Sequence, residues 1–221
     1  PDPERTPEAV VQVYAARAWS WRGNFGVHTW IAAKPSGAKS YTVYEVIGWR
    51  LRWGNSPVAI HQRAPDARWF GNAPELLSDL RGPGVDAIIL KVDKSARANP
   101  YHDRYTVWPG PNSNTFTAFI ARRVPELNLD LPPTAIGKDY LGRRLFARAP
   151  SGSGFQFSLF GLLGVTAALE EGLELNILGL SFGIDPKDPA LKLPVVGRIG
   201  ANRRPRRTIA AQPEIAGGKA D

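Results

Sequence analysis

Cysteine and methionine are both absent from this 221-residue chain, and histidine occurs only at positions 28, 61 and 102. Without cysteine there is no disulfide framework, no thiolate metal site and no cysteine nucleophile. Three scattered histidines do not make a metal-ligand spacing. Phosphate-binding fingerprints are missing too, because Gly161-x-x-Gly164 and Gly179-x-x-x-Gly183 lack the strand, glycine turn and helix such motifs need. Neither a metal nor an organic cofactor is therefore expected. Long apolar runs are also lacking. The stretch from Phe155 to Leu169 is broken by Gln156, Gly161 and Gly164, and it falls short of the roughly 18–20 residues of a spanning helix. The chain opens at Pro1, which leads us to expect that an N-terminal segment, a secretory signal or an anchor, once preceded it.

What is present is globular. Apolar residues make up 43%, charged residues 22% and aromatics 10%, with 22 Gly and 20 Pro, a composition that supports one sizeable core. The net charge is +8, and residues 185–221 hold eight basic and four acidic side chains. Half of the excess thus sits near the C-terminus, around Arg203-Arg204-Pro205-Arg206-Arg207. The organisation expected is a flexible lead-in over 1–10, a single α+β domain over 11–200, and a basic disordered tail over 201–221. Such a tail suits an anionic membrane surface. Nucleic acid is the weaker partner, since no basic helix, zinc site or RNA-binding signature accompanies it.

Element signals follow from period and punctuation. Val11 to Ala33 and Tyr41 to Trp49 flank Lys34-Pro35-Ser36-Gly37-Ala38-Lys39 and read as an antiparallel hairpin. Val58–Gln62 is a further strand. Pro74-Glu75-Leu76-Leu77 reads as a short helix ended by Gly82-Pro83-Gly84. Val85 to Ala98 is a second helix, with Ile88, Ile89 and Val92 on one face. Tyr105–Trp108 reads as extended, and Phe116, Phe119, Ile120 and Val124 repeat at helical spacing up to Pro125. Residues 155–160 alternate, while 161–169 and 173–182 flank a turn at Glu170-Glu171-Gly172. Such glycine-studded apolar strands suit a packed sheet or a surface that meets something apolar.

Two places carry candidate chemistry. If Lys34 pairs with Lys39, the hairpin register sets His28 opposite Glu45, Trp30 opposite Val43 and Val27 opposite Val46, within direct reach on one face. A carboxylate beside an imidazole fixes its tautomer, raises its pKa and prepares a general base. The same pair equally suits two groups that merely satisfy each other on a sheet surface. Further on, Asn112 is a good N-cap and Ser113 would be the first helical residue. A hydroxyl there lies among free backbone N–H groups at the positive end of the helix, where 113–115 would hold an oxyanion. Asn, Ser and Thr are also the ordinary capping residues. Trp19, Trp21, Trp30, Trp49 and Trp53 can line a cleft for an acyl chain or sugar, with core packing the commoner role for such a cluster. Arg17, Arg22, Arg50 and Arg52 interleave with them and suit phosphate or carboxylate. His61 with Asp66, and His102 with Asp103, are secondary polar pairs.

A histidine on a strand, a polar partner on the next strand, and Asn-nucleophile-x-x-Phe opening a helix together resemble the circularly permuted papain-like families. These include the lecithin:retinol acyltransferase group and NlpC-type peptidases. The matching strings are Gly26-Val27-His28-Thr29-Trp30-Ile31 and Asn112-Ser113-Asn114-Thr115-Phe116. That resemblance implies a permuted papain-like α+β fold, an antiparallel sheet with packed helices, with His28 as base, Glu45 as its orienting partner and Ser113 as nucleophile. Ser113 stands where those families carry cysteine, which implies a serine variant or an inactive form. AWSWRGNFGVHTWIA, GPNSNTF, PPTAIGKDY and FSLFGLLGVTAALEEGLELN resemble more closely an uncharacterised bacterial family, domain of unknown function 3750, over roughly Tyr14 to Gly200. Its members tend to carry a hydrophobic N-terminal segment, which implies the cell envelope.

The function expected is a cell-envelope (periplasmic) hydrolase or transacylase for an acyl or amide bond, using Ser113, His28 and Glu45. Trp30, Asn112, Asn114 and Trp108 would contact an acyl or peptide-like substrate. The alternative is a non-catalytic module with a degenerate papain-like cleft that binds a lipid, peptide or protein at a membrane surface.

Overall fold

The computed structural model describes residues 2–201 and 206–208, and the architecture is α+β with two antiparallel sheets. Five strands open the chain: β1 (Val10–Arg17), β2 (Val27–Lys34), β3 (Thr42–Val46), β4 (Val58–Gln62) and β5 (Glu75–Arg81). Two helices follow, α1 (Val85–Arg97) and α2 (Ser113–Arg123). The second sheet is β6 (Phe146–Arg148), β7 (Gly154–Leu159), β8 (Leu163–Ala168), β9 (Gly172–Ile177), β10 (Leu180–Asp185), β11 (Ala190–Leu193) and β12 (Gly197–Gly200). β13 (Arg206–Thr208) pairs in parallel with β5. The first sheet runs β13-β5-β1-β2-β3-β4, and the second is a simple meander from β6 to β12. Of the basic tail expected over 201–221, all but Ala201 and Arg206–Thr208 lies outside the described residues.

The first sheet is covered on both faces. Val11, Val13, Ile31 and Leu80 meet Ile88, Val92, Phe116 and Ile120 of the two helices. On the far side Tyr14, Trp30, Ala32 and Val43 form a smaller cluster closed by Trp69 and Leu76. Burial on both faces explains why β1 and β2 read as continuous apolar runs instead of alternating.

Three sequence expectations need correction. The helix expected at Pro74-Glu75-Leu76-Leu77 is strand β5, which lies alongside β1 in a ladder from Val10↔Arg81 to Ala15↔Glu75. Tertiary pairing overrides the helix preference of Glu-Leu-Leu, which a short window cannot tell from a buried strand. The segment Tyr105–Trp108 joins no ladder and is irregular. The 173–182 run is two strands, β9 and β10, folded over at Leu178-Gly179.

The hairpin register is also corrected. β2 and β3 pair as Ile31↔Tyr44, Ala32↔Val43 and Ala33↔Thr42, two residues away from the expected alignment, so Trp30 does not face Val43. The loop opens because Ser36 is held by Asp86 at the start of α1, through its backbone N–H at 3.0 Å and its hydroxyl at 2.6 Å. Its neighbour Gly37 donates to the Pro7 carbonyl. A slip of two preserves the faces, whereas a slip of one would reverse them. His28 and Glu45 therefore remain on one face, as diagonal rather than direct neighbours.

Candidate functional site

His28 is the second residue of β2, and by strand alternation it shares with Trp30 the face turned away from the helices. Its Nε2 donates to Glu45 Oε2 at 3.0 Å, with both groups buried. The other carboxylate oxygen accepts from His61 Nε2 at 2.7 Å and Arg63 Nε at 3.3 Å. One buried carboxylate thus serves three donors, and His61 turns to Glu45 instead of Asp66. Trp69 stacks on the His28 ring at 3.6 Å with planes 7° apart. Burial pushes the His28 pKa below its ordinary value of 6.5, outweighing the opposing pull of Glu45. The expected rise is therefore reversed. Burial alone would raise the Glu45 pKa, yet the His28 hydrogen bond and charge, Arg63 and His61 hold it at about 2. The result is a neutral imidazole beside an ionised carboxylate, with Nε2–H committed to Glu45 and the Nδ1 lone pair left over.

α2 begins as its sequence predicts. The Asn112 side chain accepts from the backbone N–H of Asn114 at 3.0 Å and of Thr115 at 3.1 Å, while Thr115 Oγ1 accepts from the Asn112 N–H, closing a capping box. Asn112 Nδ2 donates to the carbonyls of Val107 and Ile136, and Asn114 Nδ2 to those of Val27 and Ile136. Gly137 makes room for this cap. Its φ is +94°, and a Cβ there would sit 2.3 Å from Asn112 Nδ2. The two asparagines therefore tie α2 to β2 and to the 132–140 loop. The capture of the Asn114 and Thr115 N–H groups by Asn112 also corrects the expected oxyanion pocket, since of the 113–115 backbone donors only that of Ser113 is left uncapped.

Ser113 and His28 border the same cleft of about 530 Å³. Among the described residues the Ser113 hydroxyl has no hydrogen-bond partner. Yet the two groups reach the cleft from different sides of the sheet. Thr29, the residue after His28, points at α2, with its hydroxyl 3.0 Å from Asn114 Oδ1 and 2.9 Å from Thr117 Oγ1. His28 hence faces away from α2, and the cleft joins the two around the start of β2.

Of the other expected contacts, Trp108 is half-exposed on the cleft wall and donates through Nε1 to the Leu178 carbonyl at 2.8 Å. Trp30 is a correction: it is fully buried, donates to the Pro65 carbonyl at 2.8 Å and lies outside the cleft lining. Core packing is likewise wrong for the rest of the tryptophan cluster, since Trp19, Trp21, Trp49 and Trp53 are all exposed. Arg22 and Arg52 line the cleft, whereas Arg50 donates to the Ser56 carbonyl. His102 does not border it. The aromatic step Trp69-Phe70 was missed in the sequence. Its only local signal is the following Gly71 of a tight turn, in which Trp69 and Asn72 bridge.

The family model described as "Protein of unknown function (DUF3750)" matches residues 8–140, a span that contains strands β1 to β5 of the first sheet, both helices and the whole His28–Glu45–Ser113 arrangement. No curated protein and no solved structure matches the chain. The chain belongs to that family.

Proposed function

We propose that this member of the family is a cell-envelope protein that binds an amphipathic acyl-chain or peptide-like ligand in the aromatic cleft. The observation that supports this reading is a cleft of about 530 Å³ walled by Trp21, Trp49, Trp69, Phe70 and Trp108, with Arg22 and Arg52 at its edge. Apolar walls with a few placed charges suit a ligand with an apolar body and an anionic or amide end. The basic tail would add attraction to an anionic membrane surface.

A second reading adds turnover: a bacterial, papain-like hydrolase or transacylase in which His28 takes the Ser113 proton, Glu45 steadies the imidazolium and the alkoxide attacks an acyl or amide carbonyl. It is favoured by the unbonded Ser113 hydroxyl and the buried His28–Glu45 pair on one cleft. Against it stand the opposite faces of His28 and α2, and the capture of two N–H groups by Asn112.

One pair of measurements separates them. A fluorophosphonate probe that labels wild type but neither Ser113→Ala nor His28→Ala would establish turnover chemistry. Absence of labelling, together with quenching of cleft tryptophan fluorescence by a long-chain acyl amide, is the outcome expected of the binding reading. Neither labelling nor quenching would overturn both.

A further inference from the structure

The second sheet has its polarity reversed. Along β7 to β11 the buried side chains are Gln156, Ser158, Thr166, Glu174, Asn176, Ser181, Asp185 and Lys192, and the residues that alternate with them outward are apolar. Register ties those outward residues into continuous rows: Phe157↔Val165↔Leu175↔Phe182 in one, and Ala167↔Leu173↔Ile184↔Leu191 in the next. Seven strands at about 4.8 Å spacing and up to six residues long make a face of roughly 30 Å by 20 Å. That alone reaches the upper end of the largest apolar patches on ordinary monomers, about 300–600 Å². Among the described residues only Arg148, paired with Phe155 beside the β6 edge, puts a charge on it.

The inner face explains how such a sheet holds together. Lys138 donates to Glu174 at 2.6 Å and to Asp139, and Lys192 donates to Asp130 and Glu174 at 2.7 Å each. The charges are thus paired against one another inside, and among the described residues the outer face offers no side-chain donor or acceptor apart from Arg148.

The two ends of the meander also differ. At one end the turns are Phe160-Gly161-Leu162, Leu178-Gly179 and Pro194-Val195-Val196; at the other, Glu170-Glu171 and Lys187-Asp188. The apolar end abuts the cleft. Trp108 bonds the Leu178 carbonyl, and Val195 shares a groove with Trp19 and Phe70. The apolar end of the sheet therefore adjoins the tryptophans of the cleft mouth, across a groove that also holds Arg17, Asn24 and Asn72. Arg22 and Arg52 stand among the tryptophans of that mouth, and among the described residues no acid lines it.

We propose that the outer face of the β6–β12 sheet, with its apolar end and the adjoining tryptophan rim, is the surface on which the protein seats itself on a lipid bilayer. A bilayer asks for no hydrogen bonds, whereas a protein partner brings about one per 100–200 Å². Tryptophans at the boundary and basic side chains behind them match the interface and anionic headgroups. Strands of three to six residues with two open edges do not span, since a spanning strand needs about 9–11 residues and a closed ladder. The contact is with one leaflet. This proposal does not rest on what the cleft binds or on turnover there.

The test is flotation of the full chain with vesicles of phosphatidylcholine alone and of phosphatidylcholine with phosphatidylglycerol. Wild type is expected to float with both, more strongly with the second. The triple substitution Val165→Asn, Leu175→Asn and Phe182→Asn is expected to lower partitioning by at least about tenfold, with the melting temperature kept. A folded triple variant that floats like wild type would overturn the proposal, as would wild type that stays at the bottom of the gradient. So would a wild-type dimer in light scattering that the triple substitution breaks, since a second copy would then cover the face. Should the triple variant fail to fold, Leu175→Trp carries the test: its added fluorescence is quenched by brominated phosphatidylcholine if the face meets lipid, and unquenched if it does not.

Discussion

The two sheets solve the burial problem in opposite ways. In the first, aliphatic side chains of β1, β2 and β5 meet the helices, and the buried carboxylates are held by donors, Glu45 by His28, His61 and Arg63 and Asp79 by Arg81. In the second, the interior is a network of Lys138, Asp139, Glu174 and Lys192, while leucines, valines and phenylalanines face outward. Burial alone would lower the Lys138 pKa, but the Asp139 and Glu174 carboxylates push it well above its ordinary value. Paired charge can replace apolar packing where every partner is supplied. The same solution leaves an apolar sheet surface that water does not favour.

That contrast can be broken, and the largest effect falls in the polar interior. Glu174→Ala strips Lys138 and Lys192 of a shared partner and is expected to cost about 3–5 kcal/mol in urea unfolding. Next comes the aliphatic core, where Ile120→Ala leaves a cavity between α2 and the first sheet, at a cost of about 2–4 kcal/mol by the same measurement. Asn112→Ala removes the α2 cap and two carbonyl contacts and is expected to cost about 1–2 kcal/mol. Acidification sharpens the comparison from the side of the cleft. His28 titrates below 6.5 in the folded protein, so the unfolded chain takes up that proton first and stability falls as pH drops below 6.5. Glu45 adds to this further down, because its folded value of about 2 lies under the ordinary 4.5. Urea midpoints measured from pH 7 to 3 should decline throughout, and Glu45→Gln should flatten the lower part of the curve. The smallest effect is on the outer face of the second sheet. Leu175→Ser is expected to change stability by no more than about 0.5 kcal/mol, although Leu175 sits in a central strand.

Much of the cleft was legible locally. His28 and Glu45 lie on one face because alternation and an even register slip agree on it, and the Asn112 cap with Ser113 as first helical residue follows from a short string. Trp30 and Trp19 show the limit. Both are tryptophans in β-prone surroundings, yet one lies under a loop that closes over β2 and the other on a 3-10 turn at the surface. Nothing within a few residues distinguishes them. The strand β5 escaped notice for the same reason, since its partner β1 lies more than sixty residues away.

Alternation within each strand of the second sheet is a property of the chain alone, because side chains on a pleated backbone point up and down by turns whatever surrounds them. Which of the two faces turns inward is not. That depended on segment 130–139 bringing Asp130, Lys138 and Asp139 beneath Glu174 and Lys192, from tens of residues away. Charges at that separation choose a face only once the backbone has carried them within hydrogen-bonding reach.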